Sequence, residues 1–136
     1  MVAALCAWHE HHERAAREIE RRLRSGEVLV VAAPALVETY AVLTRLPPPH
    51  RLSPADGLAL LEANFMDNAV AMVTLESDSY RHLLRSAPER SISGGRICDA
   101  VIVSCALAAK AEALLTFNER QFRLLAGKAL AIVVPA

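Results

Sequence analysis

The sequence predicts a three-layer α/β/α fold around a mainly parallel central sheet, and three observations carry that expectation. Short β-branched or apolar runs alternate with longer helical stretches along the chain, the pattern of strands joined by crossover helices that cover both sheet faces. The 136 residues suit a single domain, expected over 1–136. The apolar content is 54% and rich in alanine, while aromatic residues are only 4%, which favours close helix packing over an aromatic-filled β-sandwich.

The elements follow in order. Residues 1–5 are a short apolar run, expected as the tail of a first strand truncated at its beginning. Residues 8–24 are charged, with Ala15, Ala16, Ile19 and Leu23 at helical spacing, and Gly26 suits a stop. Residues 28–32 are a β-branched run of strand length. Pro34 fits the first turn of a helix over 35–46, which Pro47, Pro48 and Pro49 end. Ser53, Pro54 and Asp56 form a helix start: a cap, a proline in the first turn and an acid near the positive end of the dipole. Leu58, Leu61 and Phe65 give that helix an apolar stripe. A strand is expected over 69–75, a helix over 78–86 and a loop over 91–95. The longest apolar stretch, 96–113, reads as a buried helix. A strand over 114–117, a helix over 118–125 and a strand over 129–134 complete the chain.

Composition excludes several classes. Fifteen Lys and Arg balance fifteen Asp and Glu, so the net charge is zero. That argues against non-specific DNA binding, which needs a basic excess, but leaves room for a local arginine patch. Cys6, Cys98 and Cys105 show no C-x-x-C spacing and read as buried free thiols in a reducing compartment. No charge-free apolar run reaches the roughly 18 residues of a membrane span. No basic leader with a cleavage site opens the sequence. A cytoplasmic protein with no membrane partner is expected.

Parallel α/β sheets bind ligands at the carboxyl ends of their strands, so the polar residues there matter most. Asp99 is the only charge between Arg96 and Lys110. A carboxylate in so apolar a helix is costly unless it is paired or bound to a cation. The plain alternative is a dipole-favoured acid paired with Arg96. Glu38 lies one turn into the helix after strand 28–32, among Leu36, Val37, Tyr40, Ala41 and Val42; alone it reads as a solvent-facing acid. Asn118 and Glu119 follow strand 114–117. Two carboxylates from different helices near strand ends could together hold magnesium, which accepts sparse carboxylate sites and bridges to phosphate oxygens. The run Trp8, His9, Glu10, His11, His12, Glu13 invites a metal reading, with His9 and Glu13 one helical turn apart. Imidazole suits zinc, nickel or copper better than magnesium, so a polar helix start is preferred.

Gly94, Gly95, Arg96, Ile97, Cys98, Asp99 and Ala100, followed by Leu114, Leu115, Thr116, Phe117 and Asn118, resemble the C-terminal half of a PIN domain. Pro34, Ala35, Leu36, Val37, Glu38, Thr39 and Tyr40 resemble its second motif. The order and spacing match over nearly the whole chain, and the subgroup is similar to the VapC-type toxins of bacterial toxin–antitoxin pairs. The resemblance implies a ribonuclease dependent on Mg2+ or Mn2+, whose acidic cluster would include Glu38, Asp99 and Asn118 as catalytic and metal-binding residues. It implies that Thr116 shapes the site. Arg96 and Arg120 become candidates for the RNA backbone, with Arg45 and Arg51 behind them. A cognate antitoxin and a homodimer are the implied partners.

The sequence departs from the family at one point. A first-strand aspartate would fall a few positions before Met1, so impaired cleavage is expected of the polypeptide as it stands. The alternative is a catalytically inactive PIN-like module that binds an antitoxin. A third reading is a structural domain whose acids form ordinary ion pairs.

Overall fold

A computed structural model describes residues 1–136, which fall into two compact units, Met1–Met72 with Ala136, and Val73–Pro135. The first holds α1 (Val2–Leu5), α2 (His12–Arg24), β1 (Val30–Ala32), α3 (Ala33–Arg45) and α4 (Pro54–Phe65), and the division falls within β2 (Ala71–Val73). The second holds α5 (Ser77–Ser86), α6 (Arg96–Ala108), β3 (Ala113–Leu115), α7 (Glu119–Ala126) and β4 (Ala131–Val133). Helices and strands alternate as expected, but the strands pair two by two, β1 with β2 and β3 with β4. No helix is long and apolar enough to cross a membrane.

In the first unit the expected strand at 1–5 is instead the one-turn helix α1. Two alanines and a leucine are strong helix formers, and nothing in Val2–Leu5 except the valine favours a strand. The turn is tied down where Cys6 N donates to Val2 O at 3.0 Å and His12 Nδ1 lies 3.0 Å from Ala3 O. The next helix begins at His12 rather than at residue 8, because His9 accepts locally: its Nδ1 receives His11 N at 3.1 Å. Along α3 the residues Leu36, Thr39 and Leu43 turn inward at helical spacing, and Leu43 is fully buried. The Thr39 hydroxyl is satisfied by Ala35 O at 2.7 Å. At the start of α4, Ser53 Oγ accepts Asp56 N at 3.1 Å, the cap expected from sequence. Gly57 lets α4 approach α3 closely: a Cβ there would stand 3.2 Å from the Thr44 methyl. Val31, Leu36, Leu61 and Phe65 form this unit's core.

In the second unit β3 and β4 run parallel, with Leu114 opposite Ile132 and Leu115 opposite Val133. Helices α5, α6 and α7 bury Leu83, Ala100, Val103, Phe122 and Leu125 in one cluster with Ile132. The buried helix expected to reach residue 113 stops at Ala108. Lys110 takes the left-handed conformation with φ 54°, Lys110 N donates to Leu107 O at 3.0 Å, and Ala111 N donates to Ala106 O at 2.9 Å. That is a Schellman closure, made here with lysine where glycine is usual. The chain is thereby released in time to enter β3. Each strand is shorter than its expected run: Ala71–Val73 and Ala131–Val133 take the middle of theirs, Val30–Ala32 the end, and Ala113–Leu115 begins one residue early.

Candidate metal centre

Each expected site residue can be located within its own unit. In the first, Glu38 lies in the second turn of α3, between exposed Val37 and buried Thr39, with its own side chain exposed. The amino group of Met1 is near enough to feel it. Burial pushes that amine below its ordinary value, and the Glu38 carboxylate pulls it back up. Arg45 is exposed in the last turn of α3, and Arg51 Nε donates to Leu46 O at 2.8 Å.

In the second unit the residues gather at the amino ends of α6 and α7. Gly94 precedes α6 with φ +57°, a left-handed turn in open space that glycine adopts without strain. Ile97 N and Cys98 N donate back to Gly94 O and Gly95 O at 3.2 and 3.0 Å. This turn places Asp99 in the first turn of α6, half-buried, beside buried Ala100. Its Oδ2 accepts a hydrogen bond from Gln121 Nε2, which reaches across from the first turn of α7. The expected alternative partner, Arg96, turns away: its Nη1 lies 3.5 Å from Ser91 O. Neither Asp99 nor Glu38 takes part in any of the ion pairs.

Thr116 extends the β3–β4 ladder, its N donating to Val133 O at 3.0 Å, and its Oγ1 accepts Asn118 N at 3.0 Å. That bond turns the chain from the end of β3 into α7. Asn118 is the cap residue of α7 by position, but its side chain makes no capping bond and is exposed. Glu119, the possible extra carboxylate, is committed elsewhere, to Arg123 at 2.7 Å. Arg120 is exposed in the first turn of α7.

The donors offered by Glu38, Asp99 and Asn118 are all oxygens, which suits a hard divalent cation bound through one or two carboxylates and waters. No group of three or more His, Cys, Asp and Glu side chains is gathered as for a metal ion. The histidine run gathers no such group either. His9 precedes α2, so the helical-face argument for His9 and Glu13 fails, and its ring meets those of Trp8 and His11. Trp8 also stacks on His50, with centroids 4.2 Å apart.

One thiol needs correcting. Cys6 and Cys105 are buried as expected, but Cys98 is exposed. It is two turns before Cys105 on the same face of α6, yet lies in the first turn beside exposed Ser93, Gly94 and Gly95, outside the packed layer. Gln121 is the residue that sequence reasoning missed. Its only signal is its place three residues after Asn118, in the turn that faces α6.

The PIN domain family profile matches residues 1–128, thereby spanning residues of both units. The chain therefore belongs to the PIN domain family, whose α/β class is the one the sequence predicts, and within it to the VapC type. It is 40% identical over 114 residues to Ribonuclease VapC40 of Mycobacterium tuberculosis, in both strains CDC 1551 and H37Rv, covering 84% of this chain and 78% of the relative. It is 36% identical over 110 residues to Ribonuclease VapC27 of the H37Rv strain, covering 81% of this chain and 66% of that relative.

Proposed function

We propose that this protein is an endoribonuclease dependent on Mg2+ or Mn2+, and that Glu38, Asp99 and Asn118 hold the cation. The observation that carries this reading is the state of Asp99. A carboxylate set in an apolar helix is bound to a neutral amide and not to an arginine, so its charge is not cancelled by a cationic side chain. The names of the VapC relatives supply the substrate class. A bound divalent ion supplies a lowered pKa for an attacking water and charge stabilisation at the phosphodiester. The chain's own residues do the rest. Asp99 and Glu38 offer anionic oxygens, Asn118 a carbonyl oxygen, and Thr116 fixes the turn that presents Asn118. Arg96 and Arg120 bear on the RNA backbone, where guanidinium forks bind phosphate.

We take residues 1–136 to act as one domain in a cytoplasmic homodimer, with a cognate antitoxin as its protein partner. A second reading is a PIN-like module that binds the antitoxin without cleaving RNA.

One experiment separates them. Purified protein is incubated with RNA in Mn2+, alongside Asp99→Ala. The nuclease reading expects cleavage that disappears in the variant and in chelator. Tight antitoxin binding with no cleavage at any Mn2+ concentration selects the binding module. Equal cleavage by both proteins removes Asp99 from the site.

A further inference from the structure

Gln121 has no part in the cation set above, yet it makes the one side-chain bond that reaches Asp99 from another helix. Two neighbours fix the geometry. Ala100, next to Asp99, is 2% exposed, and Phe122, next to Gln121, is 7% exposed; both belong to the same core cluster. Core packing thus sets α7 against α6, and Asp99 and Gln121 form the polar edge of that packed seam. The bond runs from Gln121 Nε2 to Asp99 Oδ2.

We propose that Gln121 is a positioning residue for Asp99, a neutral donor that fixes the carboxylate and leaves its charge for a divalent cation. The proposal rests on the reading of Asp99 as a cation ligand. The chemistry of the donor is the argument. A guanidinium in the same place would hold the carboxylate at least as firmly, but would neutralise it and compete with the cation. Arginines stand close in sequence on both helices, at Arg96 and Arg120. Arg96 is directed to Ser91 O, and an amide takes the place beside Asp99. Hydrogen bonds to metal-binding side chains orient them, and their loss typically weakens metal affinity about 10- to 100-fold.

The test is Mn2+ binding by calorimetry on the full chain, with no RNA present. Gln121→Met keeps the length of the side chain and removes the donor. Affinity for Mn2+ is expected to fall about 10- to 100-fold, while the melting temperature without metal stays near that of the wild type. In an Asp99→Ala background, Gln121→Met is expected to change nothing further, because Gln121 acts through Asp99. Should Gln121→Met fold poorly, Gln121→Asn retains the amide on a chain one methylene too short to reach, and the same loss is expected. Wild-type affinity in a folded Gln121 variant, with binding lost in Asp99→Ala, overturns the inference and leaves the cation site standing. A further, additive loss in the double variant overturns the positioning role. Mn2+ binding that is absent from the wild type, or indifferent to Asp99→Ala, overturns the cation site and the inference together.

Discussion

A thiol is only as reactive as its thiolate is accessible, and the three cysteines divide sharply on that criterion. Burial pushes the Cys6 and Cys105 thiols above their ordinary value, opposed at Cys6 by the nearby amino terminus. Cys98 is exposed, one residue from Asp99. Brief treatment with iodoacetamide at pH 8 is therefore expected to label Cys98 alone, with Cys6 and Cys105 labelled only after denaturation. Peptide mass spectrometry reads the outcome, and prompt labelling of Cys105 would contradict the packing around α6. The same neighbourhood shows how far single residues were legible. Asp99 stood out because one charge in an apolar helix demands an explanation. Gln121 did not, because a glutamine in a polar turn is unremarkable until the helix it faces is known.

At the scale of the element, α2 is held by its own charges. Glu18, 14% exposed, accepts from Arg21 at 2.8 Å and from Arg22 at 2.7 Å. These hydrogen bonds hold its carboxyl at about 2, against an ordinary 4.5. A carboxyl lowered on folding contributes stability above its unfolded value and loses it as pH falls through the folded one. The contribution is thus complete above about pH 5 and fades between about 4.5 and 2. Surface ion pairs are screened, so the effect is small. Glu18→Gln is expected to be slightly less stable than wild type at pH 6 and equal to it at pH 2. Urea denaturation across that range checks it, and a difference that persists at pH 2 would exclude the ion pairs as its source. Element boundaries were readable where local chemistry sets them, as at Ser53 and Asp56. They were missed where the stop was made by an unexpected residue, as at Lys110, or where a run was too short for its period to decide, as in α1.

At the scale of the whole molecule, a cation that binds only the folded chain must stabilise it. At a free concentration one hundred times its Kd the gain is about 2.7 kcal/mol, a shift of several degrees in the melting temperature of a chain this size. Mn2+ is expected to raise the wild-type melting temperature and to leave that of Asp99→Ala unchanged. Scanning fluorimetry reads both, and equal shifts in the two proteins would assign the binding to some other part of the surface.

The sequence by itself determined the alternation of helices and strands, the start of α4 and the family, and it singled out Glu38, Asp99 and Asn118 as candidates. Those depend on local chemistry: side-chain spacing, caps, and a charge set in an apolar run. Tertiary structure alone decided that Asp99 is bonded to Gln121 and not to Arg96, that Cys98 lies outside the core while Cys105 lies within it, and that α6 ends at Ala108. Each of these is fixed by contact between residues distant in sequence or by a backbone turn that several residue types can adopt, and neither leaves a periodic mark in the order of the amino acids.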